Sequence, residues 1–200
     1  IDFFTNVAHE IRTPLTLING PLENILLKKT VDPEIREDLN IMKQNTERLL
    51  SLTNQLLDFR KTESQGFRLN FAECNVTEVL KETYNRFTSL ARQRELDFVL
   101  NVGEQDFYAH VNKEAFTKIV SNLLNNAVKY AETYVHVFLE MNGIGEKRMF
   151  YIRTVNDGVI IPNEMKEEIF KPFVRFNEKE DGKVTTGTGI GLALSRSLAE

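Results

Sequence analysis

A histidine, an acid and a hydroxyl stand close together near the start of the chain: His9, Glu10 and Thr13, in the run VAHEIRTPL at positions 7–15. A solvent-facing imidazole is a nucleophile when it is held neutral, and a neighbouring carboxylate can orient one ring nitrogen and take its proton. A hydroxyl one helical turn further on can set a water beside any group the ring carries. Over a hundred residues downstream comes NLLNNAVKY, positions 122–130. Asn122 and Asn126 are four apart and share a helix face, and amide oxygens suit a hard cation such as Mg2+, which bridges phosphates. Lys129 adds a point charge for phosphate and Tyr130 a flat surface for a base. VNDGVIIP (155–162) then sets Asn156, Asp157 and Gly158 between a strand and a turn. Such a site fits the hydrogen-bonding edge of a purine, with Gly158 allowing close approach. Last, TGTGIGLALS (186–195) places Gly187, Gly189 and Gly191 at the mouth of a helix, where unpaired N–H groups favour phosphate. No Lys-Ser or Lys-Thr follows, so this is not a Walker loop, and no βαβ unit with a downstream acid makes it a dinucleotide fold. Each piece alone is also ordinary surface chemistry: a polar helix face, an Asn-Asp-Gly turn, a glycine-rich turn.

Two helices must position the first group. Apolar residues recur at Phe4, Val7, Ile11, Leu15, Ile18, Leu22 and Ile25, in steps averaging 3.5 residues. His9 lies about 200° from Val7 and Ile11 and so faces away from this stripe. Pro14 and Pro21 are expected to kink the helix without ending it. KKTVDPE (28–34) reads as a turn, with Asp32 as N-cap and Pro33 at the first helical position. A second stripe runs Ile35, Leu39, Met42, Leu49, Leu52, Leu56 and Phe59, with Thr46 and Thr53 as polar breaks. One partner helix cannot cover either stripe, so a dimeric four-helix bundle is expected.

KTESQG (61–66) is the expected domain boundary, and beyond it the rhythm is mixed α/β. Phe67, Leu69 and Phe71 alternate like a strand. Asn75 and Glu78 form a capping box that opens a helix to about Arg94. Leu96–Val102 and Phe107–Val111 read as a pair of strands with Gly103 in the turn. A helix follows over about Asn112–Tyr130, then strands near Tyr134–Met141 and Arg148–Thr154 joined at NGIG (142–145). The polar, irregular stretch 163–188 leads into a final helix near Gly189.

The 200 residues are 42% apolar and 27% charged, an ordinary globular composition. A net charge of −4 excludes a general nucleic-acid binder, and no apolar run is long enough to span a bilayer. Cys74 is the single cysteine, which points to a reducing compartment. The chain begins without Met and ends at Glu200 in mid-pattern, as a piece of a longer protein would.

In order and spacing, these segments resemble the boxes of sensor histidine kinases. His9-Glu10-Ile11-Arg12-Thr13-Pro14-Leu15 resembles the H-box and NLLNNAVKY the N-box. VNDGVIIP is similar to a variant first glycine box, IFKPFVRF (169–176) to the F-box, and GTGIGLALS to the second glycine box. The likeness covers almost the whole chain. It implies an α+β chain: residues 1–63 a dimerisation and histidine-phosphotransfer hairpin in a dimeric four-helix bundle, and 67–200 a C-terminally incomplete α/β sandwich of the gyrase, chaperone and histidine-kinase type. By the same resemblance His9 is the phosphoacceptor, Glu10 its acid/base partner, and Thr13 helps hydrolyse the phosphorylated partner. Asn126 with Asn122 holds Mg2+, Lys129 reaches the phosphates and Tyr130 packs on adenine. Arg175 approaches the γ-phosphate. Gly187, Gly189 and Gly191, with Thr188 and Leu192 beside them, line the phosphate pocket, and residues 163–188 form a lid over ATP.

The family's first glycine box reads Asp-x-Gly-x-Gly, and here the acid's slot holds Asn156 and the second glycine's holds Ile160. A neutral amide accepts more weakly than a carboxylate, so the expectation is weaker ATP binding, or Asp157 substituting after a small shift. The resemblance further implies a homodimer, transfer to a response-regulator receiver domain on the same or a separate chain, phosphatase activity, and a cytoplasmic portion of a membrane-bound sensor, possibly one of hybrid type. A nucleotide-gated dimerisation module without kinase activity is the alternative. A gyrase- or chaperone-type ATPase would have no use for the histidine hairpin.

Overall fold

The computed structural model describes residues 2–28, 32–63, 70–143, 149–176 and 188–200. The chain divides into two compact units, Ile1–Phe67 and Arg68–Glu200. The first is a pair of helices, α1 (Asp2–Leu26) and α2 (Pro33–Glu63). Helix α1 continues through both Pro14 and Pro21. Asp32 opens α2 as expected, its carboxylate accepting from the Glu34 N–H at 2.9 Å with Pro33 as first helical residue. Arg36 reaches back and donates to the carbonyls of Leu26 and Lys28, closing the end of α1.

Ala8, Leu15 and Leu22, each seven residues apart, form the buried line of α1. On α2 the expected stripe needs correcting. Thr46 and Thr53 do not break it but occupy its buried line with Leu57, while Leu49 is exposed. Each threonine satisfies its hydroxyl on its own helix, donating to the carbonyls of Met42 (2.9 Å) and Leu49 (2.8 Å). Ile11, Ile18 and Ile25 of the first stripe are exposed in the hairpin.

In the second unit β2 (Asp97–Asn101), β4 (Tyr134–Asn142) and β5 (Met149–Asn156) form one sheet, in the order β2-β4-β5. Helices α3 (Val76–Gln93) and α4 (Lys113–Tyr130) supply the core against it. Strand β4 alternates as a half-buried strand must: Val135, Val137 and Leu139 are buried against Val76, Leu80, Val120, Leu124 and Val128. Asn75 caps α3 by accepting from the Glu78 N–H at 3.0 Å, and Asn112 caps α4 through Ala115 at 2.8 Å.

Two strand expectations are corrected. Phe71 precedes β1 (Ala72–Asn75), and Phe67 and Leu69 lie outside the described residues. The segments 96–102 and 107–111 both hold strands, but not a hairpin. Strand β2 pairs in parallel with β4, and β3 (Tyr108–Val111) pairs antiparallel with β1. Phe107 explains the separation. Its N–H goes to the Thr77 hydroxyl and its carbonyl accepts the Val76 N–H, which fixes the start of β3 to α3 instead of to β2. The parallel β2–β4 pair then requires the crossover that β3 and α4 provide.

Candidate nucleotide site

Helix α4 carries Asn122, Asn126, Lys129 and Tyr130 in its C-terminal half and ends because Ala131 is extended. Arg94, just past the end of α3, holds that end in place. Its guanidinium donates to the carbonyls of Val128, Lys129 (2.7 Å) and Ala131 (3.3 Å), a cation placed where the helix dipole is negative. No local pattern marks this residue, which acts across more than thirty positions of sequence.

The turn after α4 is gripped from the opposite side by Asp157. Its carboxylate accepts from the N–H groups of Glu132 (3.0 Å), Thr133 (2.9 Å) and Tyr134 (3.2 Å), and from the Thr133 hydroxyl. The Thr133 hydroxyl foremost, then the three backbone donors, hold this carboxyl well below the usual carboxylate range despite partial desolvation. Asp157 is therefore engaged with residues 132–134. Because its folded value is depressed, its stabilising contribution is present above the ordinary carboxylate value of about 3.9 and is lost as pH falls below it. Asp157→Asn is accordingly expected to lower the melting temperature at pH 7. Thermal melts should show that gap to wild type closing as the pH drops through about 4 toward 2.

Asn156 ends β5 opposite Val135, is half-buried, and makes no side-chain hydrogen bond among the described residues. Gly158 follows against the end of α4. A Cβ there would lie 1.9 Å from the Tyr130 carbonyl oxygen and 2.9 Å from Asn156 Nδ2. The glycine thus lets the strand end touch the helix end, and it brings Asn156 beside Tyr130. Lys129 folds over the Tyr130 ring, its Nζ 4.4 Å from the centroid and 2.9 Å from the hydroxyl.

The other wall is the start of α5 (Gly191–Ala199), where no side chain caps the first N–H groups. Asn122 ties this helix to α4, its Nδ2 donating to the Gly191 carbonyl (3.0 Å) and to Ser195 Oγ (3.1 Å). Only its amide oxygen remains for a cation. Asn126, half-buried, has no side-chain hydrogen bond among the described residues. Gly189 has φ +71, and a Cβ on it would sit 2.8 Å from the Phe173 backbone, whose N–H donates to the Gly189 carbonyl at 2.8 Å. That contact seats the Lys171–Arg175 stretch on the glycine turn. Thr188 accepts from the Ile190 N–H at 3.2 Å, and Leu192 is half-buried on the first turn of α5. Arg175 is exposed, two residues beyond the Phe173 contact. Gly187 lies outside the described residues, as does the 177–187 part of the expected lid. In the first unit Thr13 is exposed on α1, and α1 also carries His9 and Glu10, whose side chains are outside the described set.

The donor set fits a nucleoside polyphosphate with a divalent cation: an uncapped helix start, uncommitted amide groups on Asn126 and Asn156, and a lysine beside an aromatic ring. An open groove of about 380 Å3 between α4 and β5 does not fit it. That groove is lined by residues such as Phe71, Phe116, Ile119, Leu123 and Phe150, has no ionisable side chain, and shares no residue with this cluster.

The family model for the His Kinase A phospho-acceptor domain matches residues 1–65, and the model for the histidine kinase-, DNA gyrase B- and HSP90-like ATPase matches residues 111–200. The chain is a sensor histidine kinase catalytic core. Histidine kinase P4 of Formosa agariphila is 32% identical to this kinase core over 202 residues, covering 100% of this chain and 15% of that protein. The chain thus spans a small part of the length of that relative. Full-length ShkA in complex with AMPPNP has the same fold, with a TM-score of 0.78 at 24% identity, covering 99% of this chain and 40% of that one. ThkA in complex with response regulator protein TrrA matches at a TM-score of 0.55 and 26% identity, over 87% and 50% of the two chains. In this kinase core the N-box and both glycine boxes come together at the facing ends of α4, β5 and α5.

Proposed function

We propose that this chain binds Mg·ATP between α4 and α5, autophosphorylates on His9, and passes the phosphoryl group to an aspartate of a response-regulator receiver domain. The observation that carries the reading is the cluster of Asn126, Asn156 and the uncapped start of α5, on a chain whose first helix bears the His-Glu-x-x-Thr motif. ATP supplies the γ-phosphoryl group and magnesium neutralises charge on the phosphates. Asn126 holds the cation, with the remaining oxygen of Asn122 near it. Lys129, the N–H groups at Gly189 and Gly191, and Arg175 bind phosphate oxygens, while Tyr130 supports the base. An imidazole nitrogen of His9 forms the N–P bond as the bond to ADP breaks, and Glu10 takes the ring proton. Thr13 positions water for removing phosphate from the receiver's aspartate, which gives the phosphatase activity.

A nucleotide titration tests the site. Wild type should bind Mg·AMPPNP calorimetrically, and Asn126→Asp, which sets a carboxylate beside the phosphates, should weaken it about 100-fold, the equivalent of about 2.7 kcal/mol. Unchanged affinity would remove Asn126 from the site.

The exposed Ile11, Ile18 and Ile25 support a homodimer in which two hairpins make one four-helix bundle. A charge on that line should dissociate it: light scattering is expected to show a dimer for wild type and a monomer for Ile18→Glu. The parent protein is a membrane-bound sensor with this core on the cytoplasmic side. Among the described residues no helix is long and apolar enough to cross a membrane.

A further inference from the structure

We propose that the base pocket accepts 6-oxo purines as well as 6-amino purines, so that GTP as well as ATP binds, with Asn156 as the residue that sets this tolerance. The inference rests on the nucleotide reading above, with Asn156 taken to face the 6-position of the base. A carboxylate facing the 6-position of a purine accepts from an amino group and repels a carbonyl oxygen, so an acid there selects adenine. An amide has an acceptor at one end and a donor at the other, and a half-turn about its last side-chain bond exchanges them. In one setting its oxygen accepts from the amino group of adenine. In the other its nitrogen donates to the oxygen of guanine.

Asn156 is free to make that turn, since its amide forms no hydrogen bond among the described residues. Its position is nevertheless fixed by its main-chain pairing with Val135 and by Gly158 pressed on the Tyr130 carbonyl. Asp157, the adjacent acid, cannot restore discrimination. It is held by the N–H groups of Glu132, Thr133 and Tyr134 and by the Thr133 hydroxyl, and turning it to a base would leave those donors unpaired. A neutral, reversible reader beside a locked carboxylate leaves the 6-position unselective.

Calorimetric titration of the wild-type chain with Mg·AMPPNP and Mg·GMPPNP is the test, with Asn156→Asp and Asp157→Asn run alongside and thermal melts reporting that each variant is folded. Expected are wild-type affinities for the two nucleotides within about tenfold of each other, and a preference for AMPPNP raised more than about tenfold by Asn156→Asp through loss of GMPPNP binding. Asp157→Asn should lower the melting temperature and weaken both nucleotides together, leaving their ratio alone. A wild type that binds AMPPNP and rejects GMPPNP overturns the proposal and leaves the nucleotide site standing. Equal binding with no change of ratio in Asn156→Asp, in a folded variant, removes Asn156 as the determinant. Binding of neither nucleotide overturns the site reading itself.

Discussion

Gly158→Ala is expected to destroy nucleotide binding and to lower the melting temperature of the ATP-binding unit by about 10 °C, the equivalent of about 3 kcal/mol of overpacking. The added carbon would stand 1.9 Å from the Tyr130 carbonyl oxygen and 2.8 Å from its carbonyl carbon. Neither neighbour can give way cheaply. The neighbouring carbonyls of Val128, Lys129 and Ala131 are gripped by Arg94, and residues 132–134 are gripped by Asp157. The strand end must therefore retreat, carrying Asn156 away from Tyr130. Circular-dichroism melts and Mg·AMPPNP titration read the two effects separately. A variant that melts like wild type and binds normally would mean that the contact between β5 and the end of α4 does not define the base pocket.

Glu10→Gln should slow phosphorylation of His9 by about 100- to 10,000-fold while leaving nucleotide affinity unchanged. The ring nitrogen that attacks phosphorus becomes cationic unless the opposite nitrogen loses its proton, and a glutamine in place of Glu10 can orient the ring but cannot take that proton. Affinity is spared because the nucleotide contacts belong to the other unit. His9→Gln should abolish the reaction outright, since no nucleophile remains. Rapid-quench measurement of phosphohistidine formation with saturating Mg·ATP separates the two variants. A Glu10→Gln rate equal to wild type would assign the proton to solvent.

Local chemistry made much of the fold legible. Caps at Asp32 and Asn75 announce helices through side-chain oxygens that serve N–H groups two or three residues away. Strand partners were not legible, because alternation marks a strand without saying which edge it meets. The separation of β2 from β3 depends on Thr77 and Phe107, thirty positions apart. Thr46 and Thr53 misled for a related reason: a threonine that bonds its own helix carbonyl can line a buried face that sequence polarity assigns to solvent.

The site divides in the same way. The boxes group Asn122, Asn126, Lys129, Tyr130, Asn156, Gly158, Gly189 and Gly191 as candidates because those residues fall in contiguous motifs. What holds them is nonlocal. Arg94 grips α4 from the end of α3, Asp157 ties β5 to the turn before β4, and Asn122 turns its donor to α5. Only a folded chain distinguishes an aspartate that meets ligand from one that meets the backbone.

Phosphate mapping tests the central claim most directly. The wild-type chain would be incubated with Mg·ATP and analysed by mass spectrometry under neutral to basic conditions. The expected result is one acid-labile phosphate, located on His9. Full binding of Mg·ATP without phosphate on His9, or phosphate on another residue, would contradict the kinase account and favour a nucleotide-gated dimerisation module.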